Sequence, residues 1–224
     1  MVQKRENQEP IRHQKRGPSL GWRHSLGYGG LALALVAVLF FVSSRPKTQP
    51  LTEQRLASDP SIGPSTARVT IVEYGDFGCP TCRAWIRAGV QKELLATYGD
   101  KIRFVWKDFP IITAESPKAA EAGQCAFDQG KFWQYHDLLY EKAPALSISD
   151  LKNYAAQLGL NTAAFDHCLD SGQDAEKVQK NLDEARKQYA FPGTPSFLVA
   201  GKKVIGPATF ETFRSIIDPM LGEG

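Results

Sequence analysis

The sequence predicts an α/β fold whose β-α-β and β-β-α halves are separated by a long helical block, preceded by a single membrane-spanning helix. Three observations carry this. An apolar run at residues 69–74 delivers a C-x-x-C pair onto the start of a helix. Helical periodicity without strand signals fills residues 116–190. An uncharged stretch of 20 residues, 25–44, lies between a basic tail and the rest of the chain.

The N-terminal region accounts for the charge. Residues 1–28 hold six Lys/Arg against two Glu, a balance of +4 that exceeds the +3 of the whole 224-residue chain. The body is therefore slightly acidic, and a nucleic-acid-binding body is not indicated. Residues 1–24 read as a cytoplasmic tail and 25–44 as the membrane anchor, since twenty helical residues rise about 30 Å. The unbroken apolar centre, LALALVAVLFFV (31–42), also suits a signal-peptide core. The long preceding segment and the mediocre cleavage site at Val42-Ser43-Ser44 favour an uncleaved anchor. The alternative is secretion after cleavage. Either way the positive-inside rule sends the C-terminal body out of the cytoplasm. All four cysteines, Cys79, Cys82, Cys125 and Cys168, lie in that body, as two disulfides in an oxidising compartment require.

Residues 45–66, rich in Pro, Ser, Thr and charge, read as a linker, and residues 67–224 as the folded domain. Strand 69–74 is apolar at nearly every position, as a strand covered on both faces should be. One helix is expected from the cysteine pair to Tyr98, closed by Gly99. In KIRFVWKDF (101–109) Ile102, Phe104 and Trp106 alternate with Arg103, Val105 and Lys107, a second strand joined by a right-handed parallel crossover.

The helical insertion (about 115–190) opens with the small-residue stripe Ala119, Ala122 and Ala126. Phe132, Tyr135, His136 and Leu139 continue it. Ser147-x-x-Asp150 is a capping box ending at Gly159, and Asn161 can cap a helix whose Phe165, Cys168 and Leu169 share a face. Ala175, Val178, Leu182, Ala185 and Tyr189 step along a last helix. Residues 196–200 and 203–205 flank Gly201-Lys202 as a β-hairpin, and 209–221 forms a final amphipathic helix.

Cys79, as the first residue of its helix, meets unsatisfied N–H groups and the positive end of the helix dipole, both of which favour a thiolate. Pro80 fits the first turn because it has no N–H to waste. Cys82 lies one turn inside, the geometry of a resolving thiol, and Arg83 adds positive charge nearby. A zinc site would need two more ligands that the sequence does not offer. Haem attachment would need His where Arg83 stands. A purely structural disulfide is the remaining alternative.

Glu73 interrupts an otherwise apolar strand, which is costly without work or a partner. Six residues before Cys79, it is placed to accept a proton from Cys82, with Lys107 on the neighbouring strand as its expected charge partner. The plain alternative is a solvated, edge-facing Glu. Thr194-Pro195 directly precedes a strand, where a cis bond is one way to turn the chain and present the Thr194 backbone to an extended substrate. Cys125 and Cys168 sit on apolar helical faces, neither at a helix N-terminus, so a structural disulfide is favoured over a second redox pair. It would stabilise by about 4 kcal/mol. His136 reads as a packed or capped histidine rather than a base, and His167 is discounted as a ligand beside Cys168.

VTIVEYGDFGCPTC (69–82), GKFWQYHDLLY (130–140), AFDHCLDSG (164–172) and GTPSF (193–197) together resemble the DsbA-like family of extracytoplasmic thiol-disulfide oxidoreductases. The resemblance covers residues 60–224 or so. It implies a thioredoxin fold with an inserted helical domain, Cys79 as the attacking thiol, Cys82 as the resolving one, a cis Pro195, and Glu73 as the family's buried acid. The expected activity is oxidation of cysteines in exported proteins, without metal or organic cofactor, and with a membrane quinone-linked partner restoring the disulfide. Pro80-Thr81 replaces the Pro-His of the best-known strong oxidase, and Thr194 replaces an aliphatic residue; both positions tune thiolate stability and substrate grip. The alternatives are an envelope reductase with a membrane reductase as partner, and a non-catalytic client-binding module. An isomerase is disfavoured, because residues 45–66 cannot form a dimerisation domain.

Overall fold

Strand β2 (Val69–Gly75) is the centre of a five-stranded sheet and is buried at every position but Thr70. The computed structural model describes residues 58–222. β2 pairs in parallel with β3 (Ile102–Asp108) and antiparallel with β4 (Ser196–Val199). β1 (Ser61–Ile62) and β5 (Lys202–Ile205) close the two edges, giving the order β1-β3-β2-β4-β5.

Both faces of the sheet are covered, which is why β2 and β3 read as continuous apolar runs. On one face Val69, Ile71, Phe104 and Phe197 meet Trp85 of α1 (Pro80–Arg87), Leu94 of α2 (Val90–Tyr98), and Phe213 and Ile217 of α8 (Phe210–Leu221). On the other, Val72, Tyr74, Val105 and Leu198 meet Ala185, Tyr189 and Phe191. Ala185 lies in the π-helical turn Glu184–Gln188 that extends α7 (Ala175–Asp183).

Helices α3 (Ser116–Asp128), α4 (Phe132–Lys142), α5 (Ile148–Gln157) and α6 (Thr162–Ser171) build a third core around Ala119, Ala122, Phe132, Tyr135, Leu139 and Phe165. Cys79, Cys82, Phe77 and Trp106 belong to this same cluster, so the cysteine pair sits where sheet and helical block meet. The alanines of α3 keep its surface low. Cys125 of α3 and Cys168 of α6 form a disulfide with Cα atoms 5.9 Å apart, closing a separation of 43 residues.

Local signals in the insertion are realised as expected. Ser147 and Asp150 form a reciprocal capping box, and Asn161 accepts from the Ala164 N–H. The hairpin turn is Ala200-Gly201, one residue earlier than the expected Gly201-Lys202.

Two expectations are corrected. The single helix to Tyr98 is two helices, α1 and α2. Gly89 breaks it by adopting φ +76°, a left-handed conformation that residues with a Cβ rarely take. The domain also begins before Ala67. Asp59 is buried, and Ser61 and Ile62 pair with Val105 and Phe104, so the end of the expected linker is part of the sheet. A two-residue edge strand carries no periodicity from which to read it. The expected anchor at 25–44 lies outside the described residues. Among those described, no helix is long and apolar enough to cross a membrane.

Gly75, the last residue of β2, is required by a close approach. A Cβ there would stand 2.3 Å from the Trp106 ring. Gly75→Ala should therefore destabilise the domain by about 1–3 kcal/mol through overpacking. Urea denaturation of the two proteins would measure the shift in midpoint.

Candidate active site

The β2–α1 turn places Cys79 as the N-cap of α1, with φ −82° and ψ 117°, and Pro80 as its first helical residue. Cys79 and Cys82 are free thiols in this structure. The Cys79 sulfur accepts from the Cys82 N–H at 3.4 Å, and its thiol donates to the Thr194 carbonyl at 3.4 Å. The Thr194–Pro195 bond is cis, which carries the Thr194 backbone onto the sulfur.

These contacts set the two thiols apart. The Cys79 pKa is lowered from 9.0 to about 5. The Cys82 thiol is the largest cause, burial opposes it, and the Thr194 side chain and the Cys82 and Thr81 N–H groups add to it. Cys82 is fully buried, and its pKa is pushed well up. Burial is the first cause, followed by its hydrogen bond to Cys79 and the negative charge of Glu73. Pro80 and Thr81 are exposed at the mouth of the turn. Arg83 donates to the Ala143 carbonyl just past the end of α4, next to a second cis bond, Ala143–Pro144, that no sequence signal pointed to.

Glu73 has no solvent exposure, and neither carboxylate oxygen has a hydrogen-bond partner. Its pKa rises from 4.5 to about 8, chiefly through burial and then through the Cys79 charge. The expected partnership with Lys107 does not form. The register sets Glu73 beside Trp106 and Lys107 beside Tyr74, so the two side chains leave the sheet on opposite faces. Lys107 instead bridges Asp59 at 2.9 Å and Glu184 at 3.5 Å.

Two residues that sequence reasoning passed over also border the pair. Asp76 is buried, and its carbonyl accepts from the Cys79 N–H at 3.0 Å and the Tyr140 hydroxyl at 3.2 Å. Tyr140 is buried among Phe77, Trp106 and His136. Asp76-Phe77-Gly78 does carry a signal, since Asp two residues before Gly is a turn-forming pattern. His136 is packed between Phe77, Trp106 and Trp133, with Nδ1 2.9 Å from Asp137, and burial lowers its pKa. Among the described residues, Cys125, Cys168 and Asp174 are close enough together to suit a metal, but both sulfurs are spent in the disulfide.

A thiol pair at a helix N-cap, facing a cis-proline across a central strand, defines a thioredoxin-type protein. The chain belongs to the thioredoxin family, whose model matches residues 56–219. It is 36% identical over 157 residues to the Na(+)/H(+) antiporter NhaA 3 of Salinispora tropica, a match covering 69% of this chain and 24% of the antiporter. It is 35% identical over 164 residues to NhaA of Herminiimonas arsenicoxydans, covering 71% and 26%. The chain thus spans about a quarter of the length of these relatives. Among solved structures, BdbD from Bacillus subtilis superposes with a TM-score of 0.68 at 23% identity, over 75% of this chain and 95% of that one. A thioredoxin-like oxidoreductase from Silicibacter pomeroyi gives 0.65 at 27%, over 75% and 94%. Wolbachia pipientis alpha-DsbA1 gives 0.64 at 20%, over 74% and 92%.

Proposed function

We propose that this chain is a membrane-anchored thiol-disulfide oxidoreductase that oxidises cysteines of exported proteins through the Cys79–Cys82 pair. The observation that carries the reading is the split between the two thiols, one lowered to about 5 and the other raised by burial. A low-pKa thiol at the helix N-cap, 4% exposed, beside a fully buried high-pKa one suits an attacked sulfur and a resolving sulfur. A stabilised Cys79 thiolate favours the reduced pair, which makes the disulfide form an oxidant.

In the proposed reaction a substrate thiolate attacks Cys79 Sγ of the disulfide. The S–S bond breaks, and its electron pair goes to Cys82 Sγ. Glu73, which holds its proton below about pH 8, is the donor that neutralises Cys82. A second substrate thiolate then attacks the substrate sulfur of the mixed disulfide and releases Cys79 as thiolate. The substrate leaves as a disulfide, and the pair has gained two electrons. The Thr194 backbone beside Pro195 is the edge on which an extended substrate would pair. Pro80 and Thr81 would tune the poise.

The redox disulfide itself is the only prosthetic chemistry this scheme needs, with a membrane quinone-linked partner restoring it. The Cys125–Cys168 disulfide supports an extracytoplasmic location, and residues 25–44 would supply the anchor. The antiport named for the relatives is not carried over to this chain.

Equilibration of Cys79–Cys82 with glutathione tests the direction. A reduction potential of about −120 mV supports the oxidase, and one of about −270 mV would make the chain a reductase.

A further inference from the structure

The domain holds two cysteine pairs, and exposure does not tell them apart. Cys79 and Cys168, the outer member of each pair, are 4% and 6% exposed, while Cys82 and Cys125 are buried. What differs is the group that each outer sulfur faces. Cys79 Sγ accepts the Cys82 N–H at the start of α1. Cys168 Sγ instead lies 3.4 Å from Asp174 Oδ2, and the same oxygen is 3.9 Å from Cys125 Sγ. Both of these sulfurs are in the disulfide and carry no hydrogen, so neither contact is a hydrogen bond. Asp174 is the N-cap of α7, a position where Asp ordinarily accepts a backbone N–H of the first turn. Its side chain makes no such bond and is turned to the sulfurs. The neighbouring cation, Lys177, donates to the Ser58 carbonyl at 2.7 Å and stands over the Phe127 ring. Burial, then Asp128, raises the Asp174 pKa, with Lys177 opposing and Glu121 adding.

We propose that Asp174 is a specificity-determining residue for thiol exchange, its carboxylate guarding the Cys125–Cys168 disulfide against thiolates and so reserving them for Cys79. The inference rests on the reading of Cys79–Cys82 as the redox pair. A protein that works on thiolates must keep its structural disulfide out of the exchange. To open that disulfide, a thiolate bonds to Cys168 Sγ. The S–S bond breaks, its electron pair goes to Cys125 Sγ, and a mixed disulfide is left on Cys168. Negative charge thus arrives at one sulfur and develops at the other, and one Asp174 oxygen lies against both. Like charges at that separation repel strongly enough to slow the step severalfold even at the dielectric of water. At Cys79 the sign is reversed, because the Cys82 N–H and the positive end of α1 favour an anion there.

The test uses the full chain with both disulfides formed, at pH 8, as wild type, Asp174→Asn and Asp174→Ala. Asp174→Asn keeps the shape of the side chain and removes its charge, and Asp174→Ala carries the test should Asp174→Asn not fold. Each protein is treated either with mercaptoethanesulfonate, which attacks as a thiolate, or with tris(hydroxypropyl)phosphine, an uncharged nucleophile. Samples quenched with iodoacetamide are digested, and mass spectrometry reads the loss of each disulfide separately. The expected result is that Asp174→Asn speeds reduction of Cys125–Cys168 about tenfold with the thiol and no more than about threefold with the phosphine. Reduction of Cys79–Cys82 stays unchanged. An unchanged rate at Cys125–Cys168 with the thiol overturns the proposal. So does an equal gain with both reductants or at both disulfides, because either reports a loosened fold and not a removed charge. If Cys79–Cys82 of wild type does not react with the thiol, the redox reading fails, while the two rates at Cys125–Cys168 still decide the part played by Asp174.

Discussion

Cys79→Ser abolishes oxidation of a dithiol peptide, a loss of at least about a thousandfold, because the redox disulfide cannot form and the sulfur that the substrate thiolate attacks is gone. Cys82→Ser has a different outcome. Without Cys82 no intramolecular disulfide can form, so oxidation is lost here too. The Cys79 thiolate can still attack a client disulfide, expelling one client thiolate and leaving a mixed disulfide that no neighbouring thiol resolves and that should be visible on non-reducing gels. The same site predicts a pH profile. With its pKa lowered from 9.0 to about 5, Cys79 of the reduced protein should react with iodoacetamide at a rate that rises with pH around a midpoint near 5, while Cys82 stays unreactive. The sign for stability follows. A depressed folded-state pKa stabilises the reduced protein, fully above about 9, decreasingly below it, and not at all once pH has fallen through about 5. An alkylation midpoint near 9 would remove the argument that the pair is an oxidant.

What could be read from sequence divides by how far apart the cooperating residues lie. The capping box at Ser147 and Asp150 and the Asn161 cap are written within four residues, and the structure forms them. β2 announces itself because a strand covered on both faces has no polar alternation to confuse. Gly89 did not announce itself, since an isolated glycine within a helical pattern is tolerated as often as it breaks one. Pairing Glu73 with Lys107 failed for a sharper reason. Both residues were on the right neighbouring strands, but a one-residue offset in register moves a side chain to the other face, and no local pattern fixes that offset. The true partners of Lys107, Asp59 and Glu184, lie far away along the chain on an edge segment and a π-helical turn. Asp76 was missed on the same ground, its carboxylate accepting the N–H groups of Ile111 and Ile112, 35 and 36 residues further on.

Removing the charge from Glu73 should make the protein more stable at neutral and alkaline pH. Glu73 is fully buried, its two oxygens lack partners, and Lys107 leaves the sheet on the other side. Nothing compensates its ionisation, so the folded protein keeps the proton up to about pH 8 while the unfolded chain releases it near 4.5. A pKa raised in the folded state gives stability that is whole below 4.5 and drains away as pH rises to 8. Glu73→Gln cannot ionise. Its stability should therefore change less across that window, with a gain over wild type that grows toward pH 8 and reaches on the order of a few kcal/mol. Urea denaturation of both proteins at pH 5, 7 and 8.5 would read this, and parallel pH curves would mean that the carboxyl has a counter-charge after all. The same substitution should slow the exchange step at neutral pH, because Gln offers Cys82 no transferable proton. A variant that is more stable and slower is the signature of a carboxyl retained for chemistry at the expense of the fold, whereas one that is more stable and equally fast would leave Glu73 without a part in the reaction.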